Sequence, residues 1–126
     1  MTITRVQTLS VPVSDQDRSL EFYPGALGLE LRRDDPMGPE MRWVQIAPKG
    51  AQTTIVLVTW FDTMAPGSLK GLLLETNSLE EDSARLKGAG VEVGEIHQED
   101  WGRYVMFEDP DGNGIILRAA GSEAWA

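Results

Sequence analysis

The chain contains no cysteine. That absence excludes disulfides, thiolate metal sites and a thiol nucleophile. Histidine is nearly as scarce. His97 stands alone, which rules out every site that needs two imidazoles. Positive charge is also sparse: eleven Lys and Arg face twenty Asp and Glu, for a formal net charge of −9 and a pI near 4.5. Such a balance argues against a nucleic-acid partner, which needs a basic face. No apolar run approaches the ~18 residues of a membrane-spanning helix, and the first residues lack the basic and apolar regions of a secretory signal. The expectation is a cytoplasmic protein with no membrane and no nucleic-acid partner. Its 126 residues fit one domain, large enough to bury about two-thirds of its unfolded surface.

What is present is ordered. Residues 3–13 mix β-branched residues with partial alternation and read as a strand. "SDQDRSLEFYPGAL" starts a helix, with Ser14 and Asp17 spaced as a capping box and Pro24-Gly25 ending or distorting it early. "GLELRRD" reads as a strand, and "MRWVQIAP" and "TTIVLVTWF" as a hairpin. "GLLLETN" is again a strand, "SLEEDSARLKGAG" an amphipathic helix ending in glycines, "VEVGEI" a strand, and "WGRYVMFEDPDGNGIIL" strand, turn and strand. The second half thus repeats the first. Sixty-three residues separate Ser14 from Asn77 and Tyr23 from Leu86, and "GRYVMF" lies 61 beyond "MRWVQI". A fixed-period repeat of β-α-β-β-β is the most informative global feature of the chain.

The final turn needs separate attention. Asp109, Asp111, Asn113 and Gly114 occupy the first, third, fifth and sixth places of a calcium loop. The twelfth place, where a bidentate Glu belongs, is Ala120, and Ile115, Ile116 and Leu117 read as buried strand. Pro110, Asp111 and Gly112 are ordinary turn residues. The segment reads as a hairpin turn.

A duplicated βαβββ module, with "VPVSDQDRSLEFY…LGLEL" in one half and "FEDPDGNGIIL" closing the other, resembles the vicinal oxygen chelate superfamily over about residues 3–118. That superfamily includes glyoxalase I, extradiol dioxygenases and bleomycin-resistance proteins. The resemblance implies an α+β fold: two tandem modules forming a half-open curved mixed sheet, in a homodimer whose hollow faces form clefts. It places module one at about 3–61, a linker at 62–68, module two at about 69–118 and a tail at 119–126. Metal-using members carry four donors in the cleft. Those positions fall here on Thr8, Val56, Gly71 and Ile116, where at least three lack a donor suited to a divalent ion. The implied metal is therefore none, and the implied cofactor none. The chain looks like the metal-free bleomycin-resistance branch.

Strand alternation run from those positions assigns a cleft lining. It includes Thr8, Ser10, Trp43, Gln45, Val56, Val58, Trp60, Leu73, Glu75, Tyr104, Met106 and Ile116, with Arg118 beyond. Aromatics, Met and aliphatics with few polar tips suit a small aromatic or drug-like ligand. Trp43 and Trp60 read equally well as core or interface rings, and single Met residues commonly fill cores. Trp101, beside Gly102, reads as structural, His97 as a solvated loop residue, and Trp125 as part of a terminal tail. Glu75 is the one inward carboxylate, a candidate general base, and reads as readily as a strand-end charge. The first expectation is sequestration of an antibiotic-like ligand. The alternative is a lyase, isomerase or dioxygenase of glyoxalase type, metal-dependent or using Glu75 or Tyr104 for proton transfer.

Overall fold

Two four-stranded mixed sheets, one from each half of the repeat, frame the molecule. The computed structural model describes residues 2–121, so Trp125 lies outside the described residues. Strands β1 Thr8–Pro12, β2 Glu30–Pro36, β3 Arg42–Ala47 and β4 Thr54–Val58 lie in the order β1-β4-β3-β2. Strands β5 Leu72–Thr76, β6 His97–Glu99, β7 Gly102–Glu108 and β8 Gly114–Ala119 repeat that order as β5-β8-β7-β6. In each sheet the first strand runs parallel to the last, and the other pairings are antiparallel. This is the expected α+β arrangement of tandem modules. Among the described residues no helix is long and apolar enough to cross a membrane.

One core joins the halves. Val44, Ile46, Ile55 and Leu57 from the first sheet meet Val105, Phe107, Ile115 and Leu117 from the second. The helical residues Phe22, Tyr23, Leu27, Leu79 and Leu86 complete the same cluster. Each fully buried aliphatic side chain there contributes roughly 1.5–3 kcal/mol. Because strands alternate, the opposite face of each sheet turns away from this core.

Local structure departs from the sequence reading in three places. The first strand begins at Thr8 rather than at residue 3, because its partner β4 begins at Thr54, opposite Thr8. The first helix, α1 Gln16–Leu20, is capped by Asp15, whose Oδ1 accepts from Arg18 N at 3.1 Å, and not by a Ser14–Asp17 box. Ser14 instead donates its N–H and hydroxyl to Asp111. Through Pro24 the helix widens into a π-helical segment, Glu21–Ala26, with Leu27 N–H reaching Phe22 O at 2.8 Å. Proline supplies no N–H and crowds the carbonyl four residues back, so a wider turn relieves both problems. Finally, "VEVGEI" forms no strand. Val91 and Val93 pack half-buried against the core, and the edge strand β6 begins only at His97.

The second helix, α2 Leu79–Gly88, reaches back to module one. Arg85 donates to Ala26 O at 3.3 Å and Leu27 O at 3.2 Å, covering carbonyls that the π-helical segment leaves open. The turn before β8 makes a second connection. Asp109 Oδ1 accepts from the main-chain N–H groups of Asp111 and Asn113, both at 2.9 Å, and its Oδ2 from Tyr23 and Asn113, both at 2.8 Å. Asn113 also donates to Pro12 O at 2.8 Å and accepts from Leu69 N at 3.1 Å. Asp111 accepts from Ser14 and, at 2.9 Å, from Arg18. The oxygens that a calcium loop would offer to metal are thus spent on the turn's own main chain, on Leu69 and on module one.

Candidate functional site

Strand register places the residues assigned to a cleft lining in transverse rows on the face turned away from the core. In the first sheet Ser10, Val56 and Gln45 stand opposite one another, with Pro12 and Val58 in the adjacent row. Thr8 faces Thr54 at the strand ends. In the second sheet Leu73, Ile116 and Met106 form a hydrocarbon row. The next row runs Glu75, Arg118, Tyr104 and His97 across all four strands. Val56 and Val58 are buried although they belong to this outer face, whereas Leu73 and Met106 remain 41% and 52% exposed. A hollow of about 390 Å³ opens over the hydrocarbon row, lined by Lys70, Gly71, Met106 and Ile116 among others. A wider groove of about 580 Å³ lies elsewhere, on the helical side, around Phe22, Val91 and Phe107.

Each sheet presents a ring cluster at the same place in the repeat. Trp43 stacks on Trp60 with centroids 6.1 Å apart and planes 23° from parallel. Tyr104, its counterpart 61 residues on, stacks with two rings: Trp101 at 4.5 Å and 19°, and His97 at 5.2 Å and 25°. His97 therefore belongs to β6 and to the ring cluster rather than to a loop, and it stays exposed as the sequence suggests. The rings are fixed by different means. Trp43 Nε1 donates to Gln45 Oε1 at 2.8 Å, and Gln45 Nε2 donates to Thr54 Oγ1 at 2.8 Å. Tyr104 is held by its stacks with Trp101 and His97. Beside it Arg118 is buried and donates through Nε and Nη2 to Trp101 O at 3.1 and 2.8 Å.

Thr54 carries no signal in the sequence beyond its strand parity, and the role of His97 depends on a register that composition does not reveal. Burial, reinforced by the charge of Asp109, pushes the Tyr23 phenol far above its ordinary value. That group lies between the modules, not on either outer face.

The four positions to which the resemblance assigns metal donors can be tested on their own chemistry. Thr8 offers a hydroxyl, Val56 and Ile116 offer hydrocarbon, and Val56 is buried in the middle of its sheet. Gly71 carries no side chain, and its φ of 81° is a left-handed conformation that strains any residue bearing one. These residues do not fit a divalent cation, which needs carboxylate, imidazole or similar donors. Among the described residues no group of three or more His, Asp or Glu side chains converges elsewhere.

Comparison with known proteins agrees with the fold. The family model of the glyoxalase/bleomycin resistance protein/dioxygenase superfamily matches residues 5–117. The crystal structure of TnmS3, an antibiotic binding protein from Streptomyces sp. CB03234, is 52% identical and superimposes with a TM-score of 0.90 over 94% of this chain and 98% of that one. A superfamily member from Sphaerobacter thermophilus is 34% identical, with a TM-score of 0.86 over 94% and 99% of the two chains. The uncharacterized protein YetH of Bacillus subtilis is 35% identical over 92% of this chain and 98% of its own. With repeat, sheet order and closing turn all accounted for, the chain belongs to the glyoxalase/bleomycin resistance protein/dioxygenase superfamily.

Proposed function

We propose that this chain binds a planar aromatic, drug-like small molecule without covalent chemistry, in clefts that two copies form as a homodimer. The observation that carries the reading is the pair of ring clusters, Trp43 with Trp60 and Tyr104 with Trp101 and His97, beside hydrocarbon rows. Rigid aromatic faces stack on planar ligands at low entropic cost. An apolar lining with a few placed polar groups is what small-molecule pockets use. The likeness to an antibiotic binding protein at 52% identity supports an antibiotic-like ligand. The net charge of −9 favours a neutral or cationic one. The exposed pair Leu73 and Met106 flanks Ile116 on the outer face, and a second copy laid against that face would remove this strip from water.

The test is a tryptophan-fluorescence titration against planar polycyclic antibiotics, with native mass spectrometry of freshly purified protein. The expected result is saturable quenching at micromolar concentrations or below, on a particle of twice the chain mass. Flat titrations across a chemically diverse antibiotic panel would overturn the reading. So would stoichiometric nickel, zinc, iron or manganese in protein purified without chelator.

A further inference from the structure

We propose that Gln45 and Thr54 are positioning residues that set the plane of the Trp43 indole before any ligand arrives. The consequence for affinity rests on the small-molecule reading above; the positioning itself does not. An indole nitrogen can only donate, so the atom facing Trp43 Nε1 at 2.8 Å must be the carbonyl oxygen of Gln45. The amide nitrogen is then turned to Thr54 Oγ1, also at 2.8 Å, which must accept. Thr54 passes its own hydroxyl proton to Gln7 O at 3.2 Å, the same carbonyl that accepts Thr54 N–H at 3.0 Å. The chain has one direction throughout and ends on main chain that β1 and β4 hold in register.

No part of it can be reversed: flipping the amide would set N–H against N–H at the indole. Thr54 is 5% exposed, so water is poorly placed to substitute for its hydroxyl. Trp43 is also packed against Trp60. The stack limits displacement of the ring, while the hydrogen bond limits rotation about χ2, which would swing Nε1 away from Gln45. A ligand stacking on a ring so held loses no ordering entropy at that side chain. On this account Gln45 acts through Trp43, and the amide is engaged at both ends by protein.

The variants Thr54→Val and Thr54→Ser test this. Valine keeps the shape and removes the hydroxyl; serine keeps the hydroxyl. Indole N–H exchange is measured by NMR without ligand, with Trp60 and Trp101 as internal references. In Thr54→Val the Trp43 N–H should exchange about two- to tenfold faster, with the other two unchanged. Thr54→Ser should behave as wild type. Affinity for 9-aminoacridine, a planar cationic probe, should fall about two- to tenfold in Thr54→Val and recover in Thr54→Ser. Unchanged Trp43 exchange in Thr54→Val, or equal acceleration of all three indoles, overturns the proposal. If wild-type protein binds no 9-aminoacridine, the function proposed for the cleft loses ground, and exchange still decides whether the relay positions the ring.

Discussion

Tyr23→Phe removes the buried one of the side-chain hydrogen bonds by which module one holds the closing turn of module two. The side chain is fully buried, and its hydroxyl donates to Asp109 Oδ2 at 2.8 Å. A hydrogen bond to a carboxylate contributes about 1.5–3 kcal/mol. Asn113 Nδ2 still serves the same oxygen at 2.8 Å, so the loss should be near the lower middle of that range, about 2 kcal/mol. At roughly 2.1 cal/mol/K of unfolding entropy per residue, the melting temperature should fall by about 8 °C. The phenol pKa is raised in the folded state, chiefly by burial and then by the charge of Asp109. Above about pH 10 the unfolded chain therefore releases a proton that the native state keeps. Wild-type stability should drop there by up to about 1.4 kcal/mol per pH unit, a loss that phenylalanine does not suffer. The wild-type advantage should shrink from about 2 kcal/mol at neutral pH to under about 1 kcal/mol at pH 11. Urea unfolding of both proteins across that range, at one protein concentration, measures the difference. A constant gap through pH 11, or a melting change below about 2 °C, would refute the coupling of Tyr23 to Asp109.

Further expectations concern the turn and the rings. Gly67 has φ 83°, and a Cβ there would lie 2.1 Å from Asp111 O, whereas a Cβ at Gly71, φ 81°, would meet open space. Gly67→Ala should therefore cost about 3 kcal/mol or more and Gly71→Ala about 1–2 kcal/mol, read from denaturant midpoints; equal costs would contradict the contact. Calcium at about 5 mM should move the melting temperature by less than ~1 °C, since every carboxylate oxygen of Asp109 and Asp111 already accepts from protein. A rise of several degrees would restore the calcium reading. His97→Ala should remove one of the two stacks on Tyr104 and weaken the near-ultraviolet circular dichroism of the Tyr104 and Trp101 rings, at a stability cost of about 1 kcal/mol or less. An unchanged spectrum would deny His97 any part in holding the ring.

The repeat was readable because its glycines and strand–helix order recur at a nearly constant offset, and that order is enough to specify two sheets of the same topology. Strand parity was readable too: the register sets Val56 beside Ser10 and Gln45, and Ile116 beside Leu73 and Met106. What escaped was whatever depends on a partner far away in the chain. Ser14 and Asp17 have capping-box spacing, yet Ser14 is drawn to Asp111, 97 residues on, and Asp15 caps instead. "VEVGEI" alternates like a strand, but its valines are satisfied by core packing and leave pairing to His97–Glu99. His97 reads as polar loop because its ring partner, Tyr104, is set by an edge pairing with no local signature.

The two halves, alike in topology, have come to do different work, and their turns make the difference concrete. The turn between β3 and β4 is tied within its own module: Arg32 of β2 donates to Pro48 O at 3.1 Å and Ala51 O at 3.0 Å. The equivalent turn between β7 and β8 is tied across the molecule, to Pro12, Ser14, Arg18 and Tyr23 of the other half. Strand β8 carries Ile116 and Arg118 into the outer face immediately after that turn. Its entry into the second sheet is thus referenced to module one, which carries the Trp43–Trp60 stack on its own outer face. A perturbation at Asp109 or Asn113 should disturb β8 and the Tyr104 row first, while one at Arg32 should remain local to module one. The closing turn has the residue pattern of a metal loop because it must converge many donors on two carboxylates, and in this chain the donors converged there are protein.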